Sequence, residues 1–582
     1  MKKHFFVIVF AFTFHLSPFT SHAQDLLHYK QIVKELSSSK YQGRGYAKNG
    51  ANMAGKYLEQ EYRKVGVDEV TLQPFTLDIN TFPGKMEMSV DGRKLTPGID
   101  FSMREYSPGV QGTYKLYYVD TLNFDAEKMF ADLAKPENKG CFVVCDFWFA
   151  YKHSKDFRKL QFGDECPNAG MVQTWEPLLK FYKAYGEKIM GKPIIWTESN
   201  FPKDAKSITV NIENRFLKDY ECFNVIAKVE GRKHDSCIVF TAHYDHLGNL
   251  GRDVYYAGAN DNASGTAAIV TLAAYYAKHH PEYDMYFLSF SGEDAGLRGS
   301  EYYAEHPVVP LSQIKYLLNI DMIGDNNPVQ YCEVSDEGMP GFALFEQING
   351  ENHHFKALNR GELAGNSDHY PFAQRHVPCI FFENEEGDAF KYYHTTFDDY
   401  EHFLTDTYEP LFRLVTEFVE RYNVRVEGHY TYEHAFNYDL EGIHLDVNET
   451  GTMDFYSDGT ALDSARQVYT ATMKDGRRVT WVYNYISPSR WHLEGNDLYF
   501  AGVKEGFRME VIESEKLKMK SEKLNVDCVE LAQKIANMYS RSIDYEYKFH
   551  LDTLTDQKLQ WSFTYRDGHS DTWKFYRESS RK

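Results

Sequence analysis

Short apolar runs and segments of helical period alternate through the middle of this chain. Cys237 to Thr241, Met285 to Phe290, Tyr316 to Ile320 and Val377 to Phe382 are compact apolar runs and predict strands. Between and after them, Gly265 to Lys278, Leu297 to Glu305, Gly341 to Asn349 and Glu409 to Tyr422 predict amphipathic helices. That alternation predicts an α/β domain over residues 216–424, with a mixed central sheet flanked by helices on both faces.

The pattern changes on either side. Residues 24–75 read as helical, with Met53, Ala54, Tyr57, Leu58 and Tyr62 at helical spacing and a polar break at Gln42-Gly43-Arg44-Gly45. Residues 76–215 read as a mixed, strand-rich insert, with turn signals at Asp91-Gly92 and Pro108-Gly109. Over residues 425–582, short alternating segments recur at Thr452 to Tyr456, Thr480 to Tyr485, Leu498 to Val503 and Trp561 to Tyr565. One helix, near Cys528 to Tyr539, interrupts them, and together they predict a small antiparallel β domain, closed or nearly so.

The 582-residue length exceeds one ordinary domain, and 43% hydrophobic residues suffice for sizeable cores. The formal charge of −20 argues against nucleic acid, whose phosphates call for clustered Lys and Arg. Residues 1–23 read as an export signal: Lys2 and Lys3, an apolar Phe5 to Leu16, then Ser21-His22-Ala23 with cleavage before Gln24. Removing Lys2 and Lys3 takes the charge from −20 to −22. Export places the chain in the periplasm or outside the cell, and no later stretch is apolar enough to span a membrane. The eight cysteines name no disulfide framework and read as small buried hydrophobes. Metal identity, disulfide pairing and oligomeric state stay open.

Acidic and histidine clusters punctuate the α/β region. His243-Tyr244-Asp245, Glu293-Asp294, Asp321 and His394 each lie at or beyond the end of a predicted strand. Asn260-Asp261-Asn262 sits in a glycine-flanked loop before a helix. Open α/β sheets bind ligands at the carboxyl ends of their strands, so these residues are expected to converge. Imidazole and carboxylate suit two cations about 3.5–4 Å apart, one carboxylate being shared. One His and one terminal carboxylate per metal plus the shared carboxylate use His243, Asp261, Asp294, Asp321 and His394. Asp245 is placed to hold the imidazole of His243, and Glu293 is left as a general base.

These segments resemble peptidase family M28, which includes aminopeptidases with two co-catalytic zinc ions. The match runs through His243-Tyr244-Asp245-His246-Leu247-Gly248, Gly258 to Gly265, Ser291 to Leu297, Asn319 to Gly324 and Tyr393-His394-Thr395. Ser367-Asp368-His369 resembles a family segment near the substrate pocket. The resemblance implies a zinc-exopeptidase fold, two Zn2+ per chain and a peptide substrate. One metal takes His243 and Asp321, the other Asp294 and His394; Asp261 bridges and Glu293 is the acid/base. The family's usual Glu-Glu pair is Glu293-Asp294 here, and the shorter Asp294 draws its metal toward the backbone or binds it more weakly. His246 is left between loop packing and metal contact, His369 shapes the pocket, and Asp398 is a candidate support for His394. Residues 76–215 occupy the place of a protease-associated-like insert. Gly428-His429-Tyr430 and Ser457-Asp458-Gly459-Thr460 resemble small lipocalin-like domains.

Two other readings share the fold: a glutaminyl cyclase working with a single zinc, and an inactive peptidase-fold binding protein. Five filled ligand positions favour hydrolysis over the cyclase, and an inactive relative is expected to have lost ligands or the base, which are all present here.

Overall fold

The computed structural model describes residues 18–582 except 176–178, 385, 423–425, 457, 474–475, 495–496, 513–521, 544, 555–557, 565–569 and 578–582. The charged start and apolar run of the export-signal reading therefore lie outside the described residues, as does Tyr565. The chain divides into two units, Met1–Glu417 and Phe418–Lys582.

In the first unit, eight strands form the central sheet. Its order is Glu69–Thr81, Arg215–Val229, Tyr283–Phe290, Lys233–His243, Ile314–Ile320, Cys379–Glu383, Val329–Val334 and Ala357–Arg360. The middle four are parallel, and Arg215–Val229 and Val329–Val334 flank them antiparallel. Ile238, Val239, Phe240 and Ala242 are all buried, because a strand covered on both faces needs apolar residues on both. From Lys233–His243 the next strand of this sheet in chain order pairs on one side and the following one on the other, which makes its carboxyl end a topological switch point. The register brings that end level with its neighbours: His243 stands opposite Phe290, and Ile320 opposite Phe382.

The helix Gly265–Tyr276 departs from the amphipathic expectation. Ala267, Ala268, Ile269, Val270, Leu272 and Ala273 are all buried, since the helices Pro18–Leu36 and Gly50–Val65 pack on the side turned away from the sheet. The helical reading of residues 24–75 also ends early, at Val65. Glu69–Thr81 is a strand in which Phe75, Leu77 and Ile79 are buried at a period of two, while Val70 and Leu72 before them are half-buried in the opposite phase.

Thr81 pairs with Arg215, and the residues between leave the central sheet to build a second one. Val110–Tyr118, Phe142–Asp146, Gly170–Trp175 and Ile194–Glu198 run parallel in it, with the helices Ala126–Leu133 and Ser154–Phe162 among the connections. The core of this insert takes in Leu247, Leu250 and Tyr256, which ties it to the loop after His243.

In the second unit, strands Gly428–Leu440, Ile443–Phe455, Thr460–Thr472, Arg478–Glu494, Asp497–Gly502, Glu546–Leu554, Lys558–Thr564 and Ser570–Arg577 pair antiparallel. The last returns to pair with the first, closing the ring. The helix Glu522–Ser542 contributes Leu531, Ala532 and Ile535 to one of its cores. Of seven described cysteines, all free, six are buried as expected and Cys166 is half-buried. No helix of the described residues is long and apolar enough to cross a membrane.

Candidate metal centre

The strand ends deliver the side chains. His243 closes its strand, Asp321 follows Ile320 directly, and Glu293-Asp294 come after Phe290 through a turn at Gly292. Asp261 lies in a buried turn between Gly258 and the helix Gly265–Tyr276. Gly258 is required there: its φ is +60°, and a Cβ would fall 2.2 Å from the Asp261 carbonyl oxygen. Asn262 caps the helix, its Oδ1 accepting the Gly265 N–H at 2.7 Å, which leaves the Asp261 carboxylate free. His394 holds a left-handed backbone (φ +60°), a conformation a non-glycine residue keeps only where its surroundings enforce it.

Asp261 is the centre of the cluster. Its Oδ1 lies 3.3 Å from His243 Nε2 and its Oδ2 lies 3.0 Å from His394 Nε2. His243 Nε2 is also 3.3 Å from Asp321 Oδ2, and His394 Nε2 is 3.4 Å from Asp294 Oδ1. The structure thus forms two His–Asp pairs joined through one carboxylate. Glu293 Oε2 stands 3.8 Å from His243 Nε2, on the same cavity. His246 sits within the cluster as well, its Nδ1 3.0 Å from Asp294 Oδ2 and 3.7 Å from Asp261 Oδ2.

Buried partners hold these groups. The Asp245 carboxylate accepts from the Tyr46 hydroxyl (2.5 Å) and the Glu293 N–H (3.2 Å). Its Oδ1 is 3.8 Å from His243 Nδ1, while its backbone carbonyl is nearer at 3.3 Å, so the main chain of Asp245 is the closer partner of the ring. Ser367 donates to Asp321 Oδ2 at 2.8 Å and accepts from Asn319. Asp398, expected beside His394, instead accepts the N–H groups of Asn260 and Asp261. Arg44, fully buried, donates to the carbonyls of Tyr244, Ala257, Gly258 and Asp261. His369 pairs with Glu333 at 3.3 Å and stacks on Phe381.

The carboxyls are driven apart. Burial pushes Glu293 well above the ordinary carboxylate range; His243 opposes that shift and Asp294 adds to it. Burial pushes Asp261 the same way, but His246, His243 and His394 outweigh it and hold this carboxyl well below its ordinary value. Burial raises Asp245 and Asp398 to about 6 each.

Residues present fit divalent cations. Asp261, Asp294 and Asp321 are buried, and among the described residues no Lys or Arg forms an ion pair with any of them. Asp321 Oδ1 is buried with no hydrogen-bond partner. Such carboxylates, faced by imidazoles and by no Lys or Arg, suit a divalent cation. His243, Asp261 and Asp321 present ligand atoms close enough for one ion, and His246, Asp261 and Asp294 for another.

The cavity at the cluster, about 310 Å³, is closed in part by the insert through Tyr182 and Lys183. The Tyr182 ring stands edge-on to His394, with centroids 4.8 Å apart. Burial lowers the Lys183 amine to about 7, against the opposing charges of Asp294 and Glu105. Sequence reading missed these two, Tyr46 and the Arg44 contacts. Only Arg44 carried a signal, as the polar break between two helical segments.

Residues 224–419 match the profile of peptidase family M28. An aminopeptidase of Bacillus subtilis, YwaD, is 27% identical over 198 residues, which is 33% of this chain and 42% of that protein. A probable zinc metalloprotease of Pyrenophora tritici-repentis is 38% identical over 126 residues, 21% of this chain and 26% of that protein. The chain therefore spans under half the length of these curated relatives. Among solved structures, a zinc aminopeptidase from Bacillus subtilis is alike in fold, with TM-score 0.53 and 20% identity over 68% of this chain and 95% of that one. An M28 peptidase precursor from Shewanella amazonensis has TM-score 0.54 and 14% identity over 69% and 95%.

Proposed function

We propose that this chain, whose residues 224–419 match the profile of peptidase family M28, is a two-zinc metallopeptidase, an aminopeptidase that removes N-terminal residues from peptides. The observation that carries the reading is Asp261, with one carboxylate oxygen toward each of two histidines that have their own aspartates. His243 and Asp321 would hold one zinc, His394 and Asp294 the other, and Asp261 both. Zinc held there supplies Lewis-acid polarisation of a carbonyl and makes water more acidic.

Glu293 does the proton work. It accepts a proton from the attacking water and returns it to the departing amine, and its raised pKa suits both roles. Asp245 positions it, accepting the Glu293 N–H while its own main chain meets His243. A cavity of about 310 Å³ is at the small end for ligand sites and favours a terminal residue over an extended stretch. Five candidate ligands, Asp261 being the shared one, support hydrolysis over a single-zinc cyclisation. Residues 1–23 would direct export, so that the enzyme works in the periplasm or outside the cell.

The test is a metal analysis of purified protein beside a panel of free and N-acetylated peptides, with Glu293→Gln as control. Two zinc ions per chain, cleavage of free peptides only, and a kcat lowered about 10²–10⁴-fold in the variant are expected. One zinc with cyclisation of N-terminal Gln, or full activity of the variant, would overturn the reading.

A further inference from the structure

The strand ring of the second unit encloses a cavity of about 350 Å³. An eight-strand barrel is wide enough for filling side chains or one small ligand. Its wall is largely aromatic, with Phe500, Phe549, Trp561, Trp573 and Phe575 among the lining residues.

Three acids line this space, Glu449, Asp463 and Asp571, and the first two share the same pair of tyrosine hydroxyls. The Tyr432 hydroxyl lies 2.8 Å from an oxygen of each of those two. The Tyr485 hydroxyl lies 2.5 Å from Glu449 Oε1 and 2.6 Å from Asp463 Oδ2. Each hydroxyl carries one proton, so two protons serve four contacts. Among the described residues, no Lys, Arg or His forms an ion pair with Glu449 or Asp463.

A second observation is independent of the acids. Gln467 is 1% exposed and lines the cavity, and its Oε1 has no hydrogen-bond partner. Trp561, 4% exposed and on the same wall, has an unpartnered Nε1. An acceptor and a donor are therefore left open in the cavity that also carries the tyrosine-bound Glu449 and Asp463, and buried polar atoms call for partners.

The chemistry selects the ligand. Carboxylates repel an anion and strengthen hydrogen bonds from a cation. Aromatic faces attract a cation and cover an apolar body. A bare metal ion wants six or more oxygens and gains nothing from the rings. We propose that the barrel binds a small organic ammonium: a primary amine on a compact apolar or aromatic body. Its ammonium meets Glu449, Asp463 and Gln467 Oε1, and an acceptor atom, where it has one, faces Trp561 Nε1.

Calorimetric titration of the full chain with 2-phenylethylamine, 2-phenylethanol and phenylacetate tests this. The amine should bind saturably and at least about tenfold tighter than the alcohol, with phenylacetate weakest; this comparison needs no variant to fold. In a Glu449→Gln/Asp463→Asn double variant whose circular dichroism matches the parent, the preference for the amine should vanish. Gln467→Met should weaken amine binding several-fold. Equal affinity for amine and alcohol, no binding at all, or amine binding that persists in the folded double variant (as binding in the metal cleft would) overturns the proposal.

Discussion

Asp398 holds Asp261 by its backbone: its carboxylate oxygen Oδ2 accepts the Asp261 N–H at 3.0 Å, while Oδ1 takes the preceding N–H at 2.7 Å. The shared carboxylate thus stands on a turn fixed by an acid 137 positions away. Supports of this kind orient metal-binding groups. Asp398→Ala is expected to weaken zinc retention about 10–100-fold against a chelator buffer, with Asp398→Asn losing less because one amide oxygen still accepts.

Arg44 offers a test of stability in place of metal binding. Arg44→Met keeps much of the side-chain volume but strips partners from carbonyls of Tyr244, Ala257, Gly258 and Asp261. Unsatisfied buried acceptors cost about 1–3 kcal/mol each. Chemical denaturation should show the first unit destabilised by roughly 3 kcal/mol or more. A variant as stable as the parent would mean that those carbonyls find other donors.

His246 is expected to act on one side of the centre. Its ring touches Asp294 and Asp261, while His243 and Asp321 lie with the other pair. His246→Ala should lower affinity for one of the two zinc ions by about tenfold and leave the other near its original value. Stepwise zinc titration would show two binding events moving apart; a joint shift of both would count against the assignment.

In the second unit, burial and then the charge of Glu449 raise Asp463 from 3.8 to about 7. With a folded pKa above the unfolded one, the folded state binds more protons between about pH 4 and pH 7, so stability falls as pH rises across that window. Unfolding of this unit, followed from pH 4 to pH 8, should show that decline, and Asp463→Asn should flatten it. A parent whose stability rises over the same range would contradict the raised pKa.

Local pattern alone made much of this protein legible. The apolar runs at Ile238, Leu288, Leu318 and Ile380 mark strands because a sheet covered on both faces leaves no polar alternative. Chemistry clustered just beyond such runs points to their carboxyl ends, which is how His243, Glu293, Asp294, Asp321 and His394 could be named, while Asp261 was named from its glycine-flanked loop before a helix. Tertiary structure decided the rest, because the contacts join residues with no local tie. Arg44 meets Tyr244, Tyr46 meets Asp245, and Asp398 holds Asp261 rather than His394. Tyr182 and Lys183 reach the cavity only because the insert leaves the central sheet at Thr81 and rejoins it at Arg215. The strand Glu69–Thr81 went unread for the same reason: its partner lies more than 130 positions away, and pairing at that distance leaves no mark on neighbouring residues.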